Sequence, residues 1–333
     1  MGKGVCNPMK RHKSFFKYFF MLCLIPVYTS LAQLQTDNSI GGLAGAPMRM
    51  GFGSRGIGMG NALSAITTGD LSAYYNPALT PFQTSPELMA SYGVLSLDRR
   101  LNFISFGQSL KPHAGISFAL INSGVGNIDG RDYEGNHTET YSTSENAFLF
   151  SFGIQVIPQL SLGLSAKFFY YSLYNDMSST TAGLDLGAVY FITDEFTVAG
   201  VIQDINAKYK WDSSKLYGIA GSSFSDNFPE RKRLAMSYNF KQWDLLSDAE
   251  VEWIGSEPFA RIGAEIGIAH GVALRSGLDQ IDLSGEGLSV KPSFGISVAT
   301  TIGSWTPAFH YAYVIEPESP SNMHFISLSV RFK

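Results

Sequence analysis

From about residue 88 to the carboxyl end, large apolar residues recur at every second position. In 147–156, Phe148, Phe150, Phe152, Ile154 and Val156 alternate with Ser151, Gly153 and Gln155. In 160–170, Leu160, Leu162, Leu164, Ala166, Phe168 and Tyr170 alternate with Ser161, Gly163, Ser165 and Lys167. The stretches 182–190 and 260–268 repeat the pattern. Period two is the side-chain period of a strand, not of a helix. Weaker copies bring the predicted strands to fourteen, around 88–96, 101–109, 114–121, 147–157, 160–170, 181–191, 196–203, 231–240, 246–254, 259–268, 272–279, 290–302, 306–315 and 323–332.

The connections alternate in length. Every second one is tight: Lys111-Pro112-His113, Pro158-Gln159, Thr193-Asp194-Glu195, Lys241-Gln242-Trp243, His270-Gly271 and Gly303-Ser304. The long ones, 122–145, 204–230 and 280–289, fall in the other register, as do 171–180 and 316–322. Short turns on one side and long loops on the other are the habit of outer-membrane barrels, which close an even number of antiparallel strands. Charge separates by parity too. Lys167, Asp185, Arg233, Asp248, Glu250, Glu252, Arg261, Glu265 and Arg275 all lie on the small or polar parity, whereas a charge facing lipid near the midplane costs about 2–4 kcal/mol. Tyr170, Tyr190, Trp253 and Trp305 sit near strand ends of the apolar parity, where aromatic girdles belong. A soluble sandwich also alternates, but fourteen strands enclose more space than side chains can fill. The predicted fold is an all-β, transmembrane outer-membrane barrel. Its last strand, with Ile326, Leu328, Val330 and Phe332 on one parity, ends on a near-terminal aromatic, as outer-membrane barrels usually do.

Composition agrees. Charged residues make up 16% of the 333-residue chain, against roughly 25% in soluble domains, and Gly supplies 34 positions. After residue 30 no run approaches the roughly 20 apolar residues a membrane helix needs. At the amino end, Lys10, Arg11, Lys13 and Lys17 precede an apolar stretch from Tyr18 to Val27 and the small-x-small sequence Ser30-Leu31-Ala32, the pattern of a secretory signal peptide cleaved before Gln33. Removing 1–32 leaves 19 basic against 28 acidic side chains, a net charge of −9, and takes both cysteines with it. No disulfide framework remains, and the acidic balance argues against a nucleic-acid partner.

Residues 33–87 do not alternate. Gly51-Phe52-Gly53-Ser54-Arg55-Gly56 matches the dinucleotide pattern G-x-G-x-x-G formally, but no strand–turn–helix context surrounds it. Asn61 to Tyr75 is expected to form short helical turns that Asn76-Pro77 ends. The run Arg55-Gly56-Ile57-Gly58-Met59-Gly60-Asn61-Ala62, followed by Tyr74-Tyr75-Asn76-Pro77-Ala78, resembles the opening of the PorV/PorQ family, outer-membrane proteins of the Bacteroidetes type IX secretion system related to FadL long-chain fatty acid transporters. The resemblance covers about 25 residues. It implies a signal peptide at 1–32, a Gly-rich amino-terminal plug or hatch at 33–87 and a barrel at 88–333. It also implies that Arg55, Gly56, Gly58, Met59, Gly60, Asn76, Pro77 and Ala78 form the plug motif. Asn76-Pro77-Ala78-Leu79 departs from many relatives, which continue with glycine. The glycines are expected to serve close packing against the wall, because they alone let backbone approach so tightly.

Candidate chemistry lies in the lumen. Asp185, Asp248, Glu250, Glu252, Arg261, Glu265 and Arg275 form an expected polar network, read first as cross-strand Arg–carboxylate pairs. No G-x-S-x-G or H-E-x-x-H motif and no Cys/His cluster occurs, so neither an enzyme nor a metal or other cofactor is expected. The aromatics of 204–230 suit either partner binding or ordering of the rim. Two functions stand side by side: a component of type IX secretion, with secretion proteins or cargo as partners, and a FadL-like channel for hydrophobic small molecules such as long-chain fatty acids. Outer-membrane lipid is a partner in both.

Overall fold

The computed structural model describes residues 42–174, 177–284, 290–317 and 319–332; the expected signal peptide lies outside them. Fourteen antiparallel strands close into one barrel. They are β1 (Glu87–Val94), β2 (Arg99–Leu110), β3 (Ala114–Val125), β4 (Ser144–Ile157), β5 (Leu160–Tyr174), β6 (Met177–Phe191), β7 (Phe196–Ile205), β8 (Arg231–Phe240), β9 (Leu245–Ile254), β10 (Glu257–Ala269), β11 (Val272–Asp282), β12 (Lys291–Ala299), β13 (Trp305–Val314) and β14 (Met323–Phe332). Closure is made by β1 on β14, with Glu87 opposite Arg331 and Val94 opposite His324. Every predicted strand is present. Among the described residues no helix is long and apolar enough to cross a membrane; crossing is by strands.

The parity reading holds along the wall. Leu88, Ile104, Phe118, Phe148, Phe150, Phe152, Leu162, Leu164, Leu234, Ile262 and Leu328 are exposed on the outside, while Lys167, Asp185, Arg233, Asp248, Glu250, Glu252, Arg261 and Arg275 are buried on the inside and Glu265 is nearly so. This distribution, inverted relative to a soluble protein, is what lipid outside and a polar interior demand.

Three loop expectations need correction. The stretch 171–180 is not a loop: β5 and β6 run on to Tyr174 and Met177 and pair through Ser172 and Ser178, because mixed polar and aromatic residues beyond the hydrocarbon can still ladder. The 122–145 connection contains a hairpin of 128–131 with 137–141, and 204–230 one of 208–212 with 223–227. The helical turns of the amino-terminal segment are Ser54–Gly58 and two 3₁₀ turns, Ala46–Arg49 and Pro77–Phe82, rather than 61–75. Asn76 does not end a helix there. Its side chain accepts from the Ala78 amide at 2.9 Å and caps the turn that Pro77 opens, the first-turn position where a missing N–H costs nothing.

Residues 42–86 lie inside the barrel. Residues 43–50 sit at the long-loop end and the 77–82 turn at the short-turn end, so this luminal segment runs the length of the lumen before entering β1.

Candidate functional site

Two rows of wall glycines seat the luminal segment. Gly115, Gly153, Gly163 and Gly187 are register partners across β3, β4, β5 and β6. A Cβ at Gly163 would lie 2.3 Å from the Ala78 nitrogen, and one at Gly187 would lie 2.0 Å from Asn76 Oδ1. On another part of the wall, Gly263 of β10 pairs with Gly277 of β11, and a Cβ at Gly277 would lie 2.1 Å from the Gly60 nitrogen. Only glycine leaves room for backbone here. The sequence motif therefore divides into two contacts: Asn76-Pro77-Ala78 on the first row, Met59-Gly60 on the second. Gly58 rests against Gly295, and Gly56 makes room for the Tyr75 ring.

Arg55 is the chief polar anchor. Its Nε and Nη2 donate to both carboxylate oxygens of Glu265 at 2.9 and 2.8 Å, and its Nη1 donates to the Thr68 and Asp70 carbonyls at 2.8 Å each. One guanidinium thereby closes the 55–70 loop and fastens it to β10. Arg275 reaches the same Glu265 at 2.5 Å. Further ties run from the Leu63 and Ser64 amides to Glu250, from Asn61 to Asp279, from Ser54 to Ser327, and from Gln203 to the Tyr74 carbonyl.

Between these anchors the inner wall of β5 to β11 carries a belt of buried ion pairs. Lys167 bridges Asp185 at 2.8 Å and Asp204 at 2.7 Å. Glu252 accepts from Arg231 at 3.1 Å, Arg233 at 2.9 Å and also Arg261, which turns its Nε to Asp279 at 2.5 Å. Gln203 Oε1 joins the belt by accepting from both Arg231 and Arg233. The expected network residues thus fall into separate groups. Glu250, Glu252 and Arg261 belong to the belt with Asp185, while Glu265 and Arg275 belong to the Arg55 anchor nearer the short turns. Asp248 departs from the expected Arg pairing: it is buried opposite Ser237 and Gly263, with the Glu250 carboxylate and the Ala65 backbone as its neighbours.

The other wall is apolar. Met89, Leu101, Phe103, Ile121, Leu149, Ala312, Val314, Met323 and Phe325 face inward and pack on Met48, Phe52, Ile57 and Met59 of the luminal segment. Phe52 stacks on Phe103 at 5.3 Å and meets Tyr74 edge-on at 4.6 Å. Above this packing, at the long-loop end, lies a cavity of about 730 Å³. Leu43, Ala44, Met50 and Ile57 line it from below, Leu95, Ile254, Val314, Met323 and Phe325 from the wall, and Tyr209 and Trp211 of the 208–212 strand from the loops. Charged side chains share the lining, among them Arg49, Arg99, Glu145, Asp279, Lys291 and Glu316. A second, polar pocket of about 280 Å³ at the short-turn end is lined by Arg55, Asp70, Glu265, Arg275 and His310.

No protein-family model matches the chain, and no curated protein sequence does. Solved structures do match. The monoaromatic hydrocarbon channel CymD aligns over 85% of this chain and 98% of its own length with a TM-score of 0.60 at 15% identity. The Ralstonia pickettii toluene transporter TbuX covers 85% and 99% with a TM-score of 0.58 at 12% identity. A Pseudomonas aeruginosa FadL homologue covers 84% and 97% with a TM-score of 0.59 at 11% identity. The chain has the fold of the FadL-like outer-membrane channels.

In this barrel the sequence pattern missed Asp204, Asp279, Arg231 and Gln203. Asp204 is turned inward by a β-bulge, whereas Asp279 keeps the inward parity of Arg275 and Gly277 and sits at the edge of a second bulge. Leu184 and Leu186 pair with Ile205 and Ile202, and Ala260 and Ile262 with Ile281 and Leu278, so β7 and β11 each hold one extra residue. Asp204 and Gln280 take positive φ, 63° and 55°, at these points. A bulge re-aims a side chain against the local parity, and strict alternation assigns Asp204 to a loop; Asp279, at the end of the predicted strand 272–279, lies in phase with Arg275. Arg231 had a visible signal: it lies two residues before Arg233, on the same parity. The aromatics of 204–230 also divide. Tyr209, Trp211 and Phe228 are buried in the mouth, whereas Tyr217 near the tip and Phe224 on the hairpin strand opposite Trp211 are exposed, as is the neighbouring Ile219.

Proposed function

We propose that this protein is a non-enzymatic outer-membrane channel for small hydrophobic molecules, with residues 42–86 as its plug. The observation that carries this reading is the cavity at the long-loop end, where aliphatic and aromatic side chains make up the larger part of a lining shared with charged and polar groups. Most ligand sites have this character, apolar walls with a few polar groups. The fold shared with channels named for toluene and monoaromatic hydrocarbons supports the same class of substrate. The test is uptake of radiolabelled toluene and of oleate by cells lacking their own hydrophobic-substrate channel. Cells expressing this protein take up one or both faster than cells expressing Val314→Trp, which fills the cavity. Equal uptake by empty cells, wild type and variant would overturn the proposal.

A role in type IX secretion is the second reading. The 55–62 and 74–78 motif favours it, together with a lumen filled by the segment and the exposed apolar side chains Tyr217, Ile219 and Phe224. On this reading the partners are secretion components or cargo held by the outer loops. Pull-down from detergent-solubilised outer membrane recovers them, and deletion of 213–222 abolishes that recovery. Failure to recover any secretion component, beside measurable hydrophobic uptake, excludes the second reading.

A further inference from the structure

The lipid-facing wall is uneven. Over β3 to β5 it is bulky, with Phe118, Phe148, Phe150, Leu162 and Leu164 all standing clear of the surface. Over β6 to β10 it is dented. Ala188 pairs with Gly200, Met236 with Ala249 and Val251 with Ala260, all on the outward parity. There Ala249, Val251, Trp253 and Ala260 face outward yet are only half exposed. The dent is a groove of about 690 Å³ whose lining is almost wholly apolar, bounded by Tyr190, Phe196, Leu234, Trp253 and Ile262. Behind it, on the luminal side, stand Arg233, Glu250, Glu252 and Arg261 of the ion-pair belt.

One outward cation stands at the long-loop end of this groove. Lys232 is two residues before Leu234 on the same face of β8 and directly opposite Trp253 of β9. Its ammonium lies 3.2 Å from Glu230, both side chains being exposed. An exposed pair of this kind is weak, and an anion with several oxygens can replace the carboxylate. An apolar trough in the hydrocarbon zone, with an ammonium and an indole at its interfacial end, matches an acyl chain below a phosphate. A second barrel would need a protruding surface to fill the same dent, and the neighbouring lipid face offers rounded aromatics instead.

We propose that this groove is a binding site for one phosphate-bearing membrane lipid, with an acyl chain lying over Gly200 and Ala260 and the phosphate on Lys232. The test is native mass spectrometry of the full chain, purified in detergent, with dioleoylphosphatidylglycerol or dioleoylglycerol added. Heat-modifiable migration on gels confirms that each variant is folded. The wild type retains one phosphatidylglycerol in preference to dioleoylglycerol. Ala260→Trp, which fills the floor, lowers retention about tenfold, and Lys232→Gln removes the preference for the phosphate. Ala166→Trp, on the outward face of β5, leaves both unchanged. Equal retention by wild type and Ala260→Trp, equal binding of the two lipids by wild type, or a dimer of this chain in place of bound lipid would each overturn the proposal.

Discussion

At the scale of single residues, burial decides which charges matter. Arg55 and Glu265 meet in a two-bond fork, at 3% and 17% side-chain exposure, the geometry in which a guanidinium binds a carboxylate best. Arg275 also leans on Glu265, so removing that carboxylate strands two cations. Breaking a buried pair by deleting one partner costs about 3–5 kcal/mol, because the survivor keeps its desolvation penalty. Glu265→Gln is therefore expected to lower barrel stability by about that much, read from the urea midpoint of protein folded in vesicles, and to expose the 55–70 loop to protease. Asp248 makes the opposite case. It has no salt-bridge partner in the ion-pair belt, and the charged side chain beside it is the carboxylate of Glu250. A neutral amide of the same shape loses nothing there, so Asp248→Asn is expected to stay within about 1 kcal/mol of wild type or to rise above it. Glu252→Gln, which uncouples Arg231, Arg233 and Arg261, falls by several. Equal losses for Asp248→Asn and Glu252→Gln would show that Asp248 carries an interaction of its own.

At the scale of elements, the glycine rows explain how backbone can lie against backbone inside a barrel. Gly163 and Gly200 are both strand glycines, and they differ only in what they face. A Cβ on Gly163 meets the Ala78 nitrogen at 2.3 Å, while a Cβ on Gly200 has nothing nearer than the Leu234 side chain at 3.8 Å. Gly163→Ala is expected to displace the Asn76–Pro81 turn and cost about 1–3 kcal/mol, the range for overpacking. Gly200→Ala is expected to be silent in the same urea titration. Proteolysis within 76–83 should rise for the first and not for the second. The strands themselves were legible, because hydrocarbon outside and a polar lumen inside impose strict alternation on β4, β5, β6 and β10. The luminal contacts were less so. Asn76-Pro77-Ala78 was visible as a motif, but its seat requires knowing that Gly153, Gly163 and Gly187 are register neighbours. Asp204 was hidden because a bulge shifts the phase that periodicity reads, whereas Asp279 lay in phase with Arg275 and only the fold shows its pairing with Arg261.

At the scale of the whole molecule, the lumen has two faces: an ionic wall over β5 to β11 and an apolar wall made by β1 to β4 with β13 and β14. The luminal segment answers both, presenting Arg55, Asn61 and its amides to the first and Met48, Phe52 and Met59 to the second. Its hydrogen bonds reach β3, β5 to β12 and β14, each one to a charged group contributing about 1.5–3 kcal/mol. Those ties are made to many strands at once, so the segment cannot be shed by breaking one of them. The cavity at the long-loop end lies above it, and on the proposed function hydrophobic molecules enter that cavity without displacing the segment. A disulfide locks the arrangement for testing. Ser54 and Ser327 side chains already stand 2.7 Å apart, within the reach of paired cysteines. In the double variant Ser54→Cys, Ser327→Cys, the oxidised protein is expected to bind a fluorescent hydrophobic probe as well as the reduced one, and ion conductance in planar bilayers should stay near baseline in both. If oxidation abolishes binding and reductant restores it, the segment must move before the cavity can fill, and the fixed-segment picture fails.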